Sequence, residues 1–210
     1  MKKHQSLPLL LGTLAASATA HALIIPDTVS ASSEFNANYL AINTINGSGL
    51  PAGYDETSAH ANYSTGNHWT TSAGDVTSAF ITWGFNTPQS LGGIYIWTHR
   101  SNIIAANPGY EPTLFDLTLR DAGSNILLFL DDITMAPDTA NAQFFSFGAA
   151  FANVSSVRFD VEAVQNPAST YTGLAEVAFT AIPEPTTFAP IAGMIALAFA
   201  AGRRSRVRAA

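Results

Sequence analysis

Between residues 23 and 181 apolar side chains recur at every second position, and no stretch carries the 3.6-residue stripe of an amphipathic helix. That period confines the chain to extended segments. Residues 113–120 (TLFDLTLR) put Phe115, Leu117 and Leu119 on one face and Asp116, Thr118 and Arg120 on the other. Residues 78–85 (SAFITWGF) align Ile81, Trp83 and Phe85. Residues 93–99 (GIYIWTH) set Ile94 and Ile96 against Tyr95 and Trp97. Residues 126–130 (ILLFL) are a continuous apolar run, a pattern that allows burial on both faces. Residues 143–147, 157–164 and 174–180 complete the set, separated by clusters of Gly, Pro, Asn and Asp. Seven or eight short strands of this kind predict an all-β fold, an antiparallel jelly roll or β-sandwich, with no room for a second domain. Residues 36–67, rich in Gly, Ser, Asn and Ala, read as a long structured loop region.

Charge narrows the function. Charged residues make up 11% of the 210, against roughly 25% in an ordinary soluble domain, while 47% are hydrophobic, so a sizeable core is expected. Residues 23–182 hold fourteen acids, three arginines and no lysine, a formal charge of −11. Such a body is a poor ligand for phosphate backbones, which excludes nucleic acid as a leading partner. With no cysteine, disulfides, thiolate metal sites and cysteine nucleophiles are excluded too.

Both ends read as addresses. Lys2 and Lys3 precede an apolar run at residues 7–18 and the small residues Ala20-His21-Ala22, the layout of a secretory signal peptide at residues 1–22. The run is shorter than the roughly 18 residues of a membrane anchor. At the other end, Ile182-Pro183-Glu184-Pro185 leads into an apolar stretch at 188–202 and an arginine cluster at 203–208. As a helix that stretch spans about 22 Å, short of the ~30 Å hydrocarbon core, and its arginines would stay cytoplasmic. Residues 182–210 closely resemble a PEP-CTERM sorting signal of Gram-negative bacteria. The resemblance implies that Pro183, Glu184 and Pro185 are recognised by an exosortase. It also implies a transient inner-membrane intermediate, anchored by the short hydrophobic helix, before passage to the cell surface or extracellular matrix.

The body, residues 23–181, resembles a discoidin-like (galactose-binding-like) domain through an ordered series of motifs. These are Val29-Ser30-Ala31-Ser32-Ser33, then Ala41-Ile42-Asn43-Thr44-Ile45-Asn46-Gly47-Ser48-Gly49, then His68-Trp69-Thr70-Thr71. Residues 80–85 with Leu91-Gly92-Gly93-Ile94, then Val157-Arg158-Phe159 and Gly173-Leu174-Ala175-Glu176-Val177, follow. The resemblance implies a carbohydrate-binding jelly roll and, in many members, a structural calcium, here matched by Asn46, Ser48 and Glu176. Calcium takes six to eight oxygens, and Glu176 among apolar neighbours needs a partner. An arginine such as Arg158 is the alternative to the metal.

Two loop regions gather aromatic and polar residues suited to stacking and orienting sugars: Tyr54, His60, Tyr63, His68 and Trp69, then Trp97, His99, Arg100, Asn102 and Tyr110. Tyr63, His68, His99, Arg100, Asn102 and Tyr110 are the candidate ligand set. Trp69 and Trp97 are expected in the core, and pairing with Glu111 is the alternative role for Arg100. Support for catalysis is thin. Asp131 and Asp132, as consecutive strand residues, should face opposite ways, and a turn after residue 130 is the plainer reading. His60, His68 and His99 could meet as a zinc site but lack His-x-x-x-His spacing, and there is no Gly-x-Ser-x-Gly elbow. Gly47-Ser48-Gly49 lacks the lysine of a phosphate loop. The leading expectation is an exported, surface-sorted, non-catalytic module that binds polysaccharide. A purely structural envelope or matrix protein comes second, and a polysaccharide-degrading enzyme third.

Overall fold

The alternating segments become strands in a computed structural model that describes residues 23–74, 76–100 and 109–181. The signal peptide at 1–22, the sorting signal at 182–210 and Asn102 lie outside the described residues. Among the described residues the strands are β1 (Leu23–Ile24), β2 (Thr28–Ala31), β3 (Trp69–Thr70), β4 (Phe80–Trp97) and β5 (Pro112–Arg120). They continue with β6 (Ile126–Thr134), β7 (Gln143–Val164), β8 (Gly173–Leu174) and β9 (Glu176–Thr180). One short 3-10 helix, Ala41–Thr44, lies in the loop region expected at 36–67. The pairings between these strands are all antiparallel.

Two strands are far longer than their sequence patterns indicate. Segments 78–85 and 93–99 are the two ends of the 18-residue β4, and 143–147 and 157–164 those of the 22-residue β7. Each strand works in two halves. Residues 81–84 of β4 pair with β2 and residues 80–84 with residues 156–160 of β7, whereas residues 93–97 pair with β9. Between Gly84 and Gly93 the β4–β7 register shifts repeatedly. Pro88, which has no N–H to give a ladder, falls in that gap. On β7 the gap holds Gly148 and Asn153, both in the left-handed region with φ of 77° and 62°. The ribbon thus folds over itself and feeds two layers, β2-β4-β7-β5-β6 and β1-β9-β4-β7.

The layers close on the faces that alternation marks. Ile81, Trp83, Ile94, Ile96, Phe115, Leu117 and Leu119 have no exposed surface. Trp83 and Phe85 reach across to Phe179 with ring centroids 6.1 and 5.4 Å apart, and Phe115 meets Phe145 edge-on at 5.2 Å. Each such side chain contributes roughly 1.5–3 kcal/mol by leaving water. Trp83 Nε1 donates to Thr44 Oγ1 at 3.0 Å, which pins the 3-10 helix to the core. On the other face of β4, Trp97 packs with Ala175 and Ala178 in a smaller cluster under Tyr54 and Tyr95.

Residues 126–130 are not buried on both faces. β6 is the edge strand, pairing with β5 alone, and it leaves Ile126 57% and Phe129 52% exposed. Its inner residues Leu127, Leu128 and Leu130 pack partly against the core. Nor does the chain turn at residue 130. β6 runs on through a bulge, with Asp132 at φ 54°, so that Asp131 and Asp132 both oppose Asp116. The extra residue breaks the alternation, and the three carboxylates gather within 4.8 Å of one another instead of pointing apart.

Candidate functional site

Folding the ribbon over brings the Trp97 end of β4 beside the Pro112 end of β5. The residues just beyond those ends, His99 and Tyr110, meet with ring centroids 4.5 Å apart. The loop leading into β3 supplies the other wall. His68 lies 5.2 Å from His99 and 4.2 Å from Tyr63, whose ring in turn meets Tyr110 at 6.1 Å. Tyr39 and Tyr171 extend the cage outward, with the exposed Phe35 between them. Four of the predicted ligand residues, Tyr63, His68, His99 and Tyr110, therefore converge. His68, His99 and Tyr110 form the buried floor, while Tyr63 is half-buried at the rim.

Arg100 joins them through a residue that the sequence did not single out. Its Nη1 donates to Asn62 Oδ1 at 2.6 Å, and its backbone sits in the left-handed region at φ 55°. The Asn62 carbonyl accepts from Asn67 Nδ2 at 3.0 Å, and Asn67 Oδ1 lies 2.9 Å from His68 Nδ1. Arg100 thus connects to the aromatic floor through two asparagines. The alternative pairing with Glu111 does not form. Among the described residues, Glu111 approaches His99 Nδ1 at 3.6 Å and accepts the Asp138 N–H at 2.8 Å.

Burial makes the floor electrically neutral. It pushes His68 down to about 3 and His99 well below the usual imidazole range, with the other histidines adding to both. A neutral His99 makes no ion pair with Glu111, and 3.6 Å is too long for a hydrogen bond. Burial likewise raises the Tyr63 and Tyr110 hydroxyls. Both nitrogens of His99, Nε2 of His68 and Nε of Arg100 are buried and have no hydrogen-bond partner among the described residues. Native proteins leave few such atoms unsatisfied, and these cluster at one end of the sandwich.

His60 stands apart from this set. Its ring nitrogens lie 2.8 Å from the Ala61 carbonyl and 2.9 Å from that of Ser48, so it fastens two loops. Gly49, at φ 96°, leaves no room for a Cβ beside that ring. The zinc arrangement of His60, His68 and His99 is not formed. Among the described residues, the group of three or more candidate ligands with donor atoms within 4.8 Å is Asp116, Asp131 and Asp132. Trp69 and Trp97 lie in the core as expected, their indole N–H groups donating to the carbonyls of Ser33 and Ser58.

Glu176 meets the loop with which the resemblance paired it. The carboxylate is fully buried at the start of β9, and Oε2 accepts the Gly47 N–H at 3.0 Å across 129 residues of chain. Oε1 has no partner. Burial pushes the group up to about 8, partly offset by that N–H. Arg158 does not neutralise it, being forked onto Asp160 at 2.6–2.9 Å. In the turn, Asn46 Oδ1 accepts the Ser48 N–H at 2.8 Å. The turn also carries amide and backbone oxygens, the donor type that a hard cation takes.

No family model matches the sequence, and no curated protein matches it. Solved structures do resemble the fold. "CBM32 of AlyQ in complex with 4,5-unsaturated mannuronic acid" aligns over 76% of this chain and 98% of its own, with 18% identity and a TM-score of 0.53. A Streptococcus pneumoniae fucose-binding module aligns over 77% and 96%, with 13% identity and a TM-score of 0.54. The family 32 module of C. perfringens NanJ, in complex with galactose, aligns over 72% and 91%, with 12% identity and a TM-score of 0.51. The fold is a galactose-binding-like β-sandwich. Within this sandwich, sequence reasoning missed Tyr39, Asn62, Asn67 and Tyr171. Asn62 and Asn67 sit in a loop rich in small polar residues, and only the tertiary fold distinguishes them from their neighbours.

Proposed function

We propose that the domain is a non-catalytic module that binds polysaccharide at the aromatic cage. The observation that carries this reading is the convergence of Tyr63, His68, His99 and Tyr110 with Arg100, where buried nitrogen atoms lack partners among the described residues. A sugar stacks its apolar face on a ring and spends its hydroxyls on a few fixed polar groups. Tyr63 at the rim supplies the ring, and Arg100 held by Asn62 supplies the donors. The likeness to carbohydrate-binding modules supports this assignment. Calcium held by Glu176 with oxygens of Asn46 and Ser48 would brace the turn on which the His60 loop rests.

The whole chain, on this reading, is exported through residues 1–22 and sorted at Pro183-Glu184-Pro185 by an exosortase, to the cell surface or extracellular matrix. The three-part tail of motif, short apolar stretch and arginine cluster supports that route. Among the described residues no helix is long and apolar enough to cross a membrane. The test is a glycan array followed by calorimetric titration of the full chain. Tyr63→Ala is expected to lower affinity for the best glycan about tenfold or more, in line with the loss of one stacking ring and its buried area. Unchanged affinity in a folded Tyr63→Ala variant would remove the cage as the binding site.

A further inference from the structure

The three arginines of the body are used differently. Arg158 is forked onto Asp160, and its guanidinium covers the Phe80 ring at 3.7 Å. Arg120 donates to the Ser124 carbonyl within its own turn. Arg100 is held by a neutral side chain, the Asn62 amide, and no carboxylate lies within 4.0 Å of it among the described residues. Its Nε is buried and has no hydrogen-bond partner among the described residues. This occurs in a body where fourteen acids face three arginines.

Arg100 is only partly buried, and its cation has no counter-charge among the described residues. A sugar hydroxyl would accept from the guanidinium and leave the charge unbalanced. A carboxylate accepts the hydrogen bond and also balances the charge, which makes it the stronger partner of an arginine. The floor beneath offers no competing cation, since burial keeps His68 and His99 neutral. Repulsion from distant acids is screened over about 8 Å at physiological ionic strength, so the contact at Arg100 sets the preference. We infer that the cage selects an acidic sugar, a uronic acid residue whose carboxylate lies on Arg100 while its ring stacks on Tyr63. This inference rests on the carbohydrate-binding reading above and names the ligand class.

The experiment titrates the full chain with two pairs of methyl glycosides, galacturonate against galactose and glucuronate against glucose. Each pair differs only at C6. In the preferred pair the acid is expected to bind about tenfold more tightly than the neutral sugar. Arg100→Gln should bring that ratio close to one while the variant still unfolds cooperatively and keeps its binding of the neutral sugar, and Arg100→Lys, which keeps the charge but loses the fork, should retain part of it. Neutral and acidic sugars binding equally, or a preference that survives Arg100→Gln, overturns the acidic-sugar assignment and leaves the cage a sugar site. Binding of none of the four glycosides, nor of any array glycan, overturns both readings.

Discussion

The imidazole floor and the Glu176 pocket are both buried, both short of hydrogen bonds, and oppositely displaced. Burial disfavours whichever form of a group is charged. It therefore lowers His68 to about 3 and raises Glu176 to about 8, although neither residue pairs with a group of opposite charge among the described residues. The outer face of β5, β6 and β7 supplies a contrast. There the exposed Asp131, Asp132 and Glu162 crowd around a partly buried Asp116. Asp131 and Glu162 are raised by desolvation and by their neighbours, but neither shift reaches that of Glu176. Solvent access, more than the number of neighbouring charges, decides how an acid behaves in this protein.

The largest expected effect is acid loss at the floor. His68 and His99 have folded values below the usual 6.5, so their stabilising neutrality is fully present above that pH and lost as the pH falls below it. Each unit of such a shift is worth about 1.4 kcal/mol, and two histidines act together. The denaturation midpoint should therefore fall steeply from pH 6.5 to pH 4. His68→Gln should flatten the limb, and an unaltered limb in that variant would mean that acid unfolds the molecule elsewhere.

Glu176 is expected to give a limb of the opposite sign. Its folded value lies above the unfolded value of 4.5, so its contribution is fully present below 4.5 and lost as the pH rises through about 8. Without calcium, chemical denaturation should show this contribution weakening across that window, on the order of a few kcal/mol. Glu176→Gln, which cannot ionise, should lack the slope. An identical pH profile in the variant would show that the carboxylate is solvated after all.

Calcium sharpens the same comparison with a smaller effect. Bound at Glu176 it should favour the folded state by about 2.7 kcal/mol at a hundredfold excess over Kd. For a domain of this size that is on the order of 5–10 °C in midpoint. Magnesium sheds its water reluctantly and wants a stricter octahedron, so it should do less at matched ionic strength. The calcium shift should also be larger at pH 8 than at pH 6, because at pH 6 the metal must displace the Glu176 proton. Equal responses to the two ions, or a calcium response that survives Glu176→Gln, would move the effect to the exposed acids.

How far these features can be read from the sequence depends on the range of the forces that set them. Alternation at 113–120 translates directly into β5, since side-chain direction along a strand is local. The family resemblance pairs Glu176 with the Asn46 turn, and the fold brings them together. The joining of short segments into β4 and β7 is hidden, because the bend around Pro88, Gly148 and Asn153 has the composition of a loop. The edge position of β6 is hidden as well. An apolar run records that a strand has an inner face, while its place in the layer depends on which strands pair beside it. Arg100 is legible as a candidate, but its anchor Asn62 is 38 residues away with nothing local to mark it.

The smallest expected effect tests the exposed side of the comparison. Asp131 lies in the β6 bulge beside Asp116 and Asp132, its ionised form disfavoured by desolvation first and by those two acids second. Removing one charge from a solvated cluster relieves repulsion without leaving a buried group unpaired. Asp131→Asn should therefore raise the midpoint slightly at low salt, and the gain should vanish near 1 M salt, where screening shortens to about 3 Å. The backbone N–H of Asp132, which donates to Asp116 Oδ1 at 2.9 Å, is untouched by this change, so the bulge should persist. If Asp131→Asn lowers the midpoint instead, or abolishes the calcium response while Glu176→Gln does not, then the exposed acids, not the buried one, organise the cation chemistry of this sandwich.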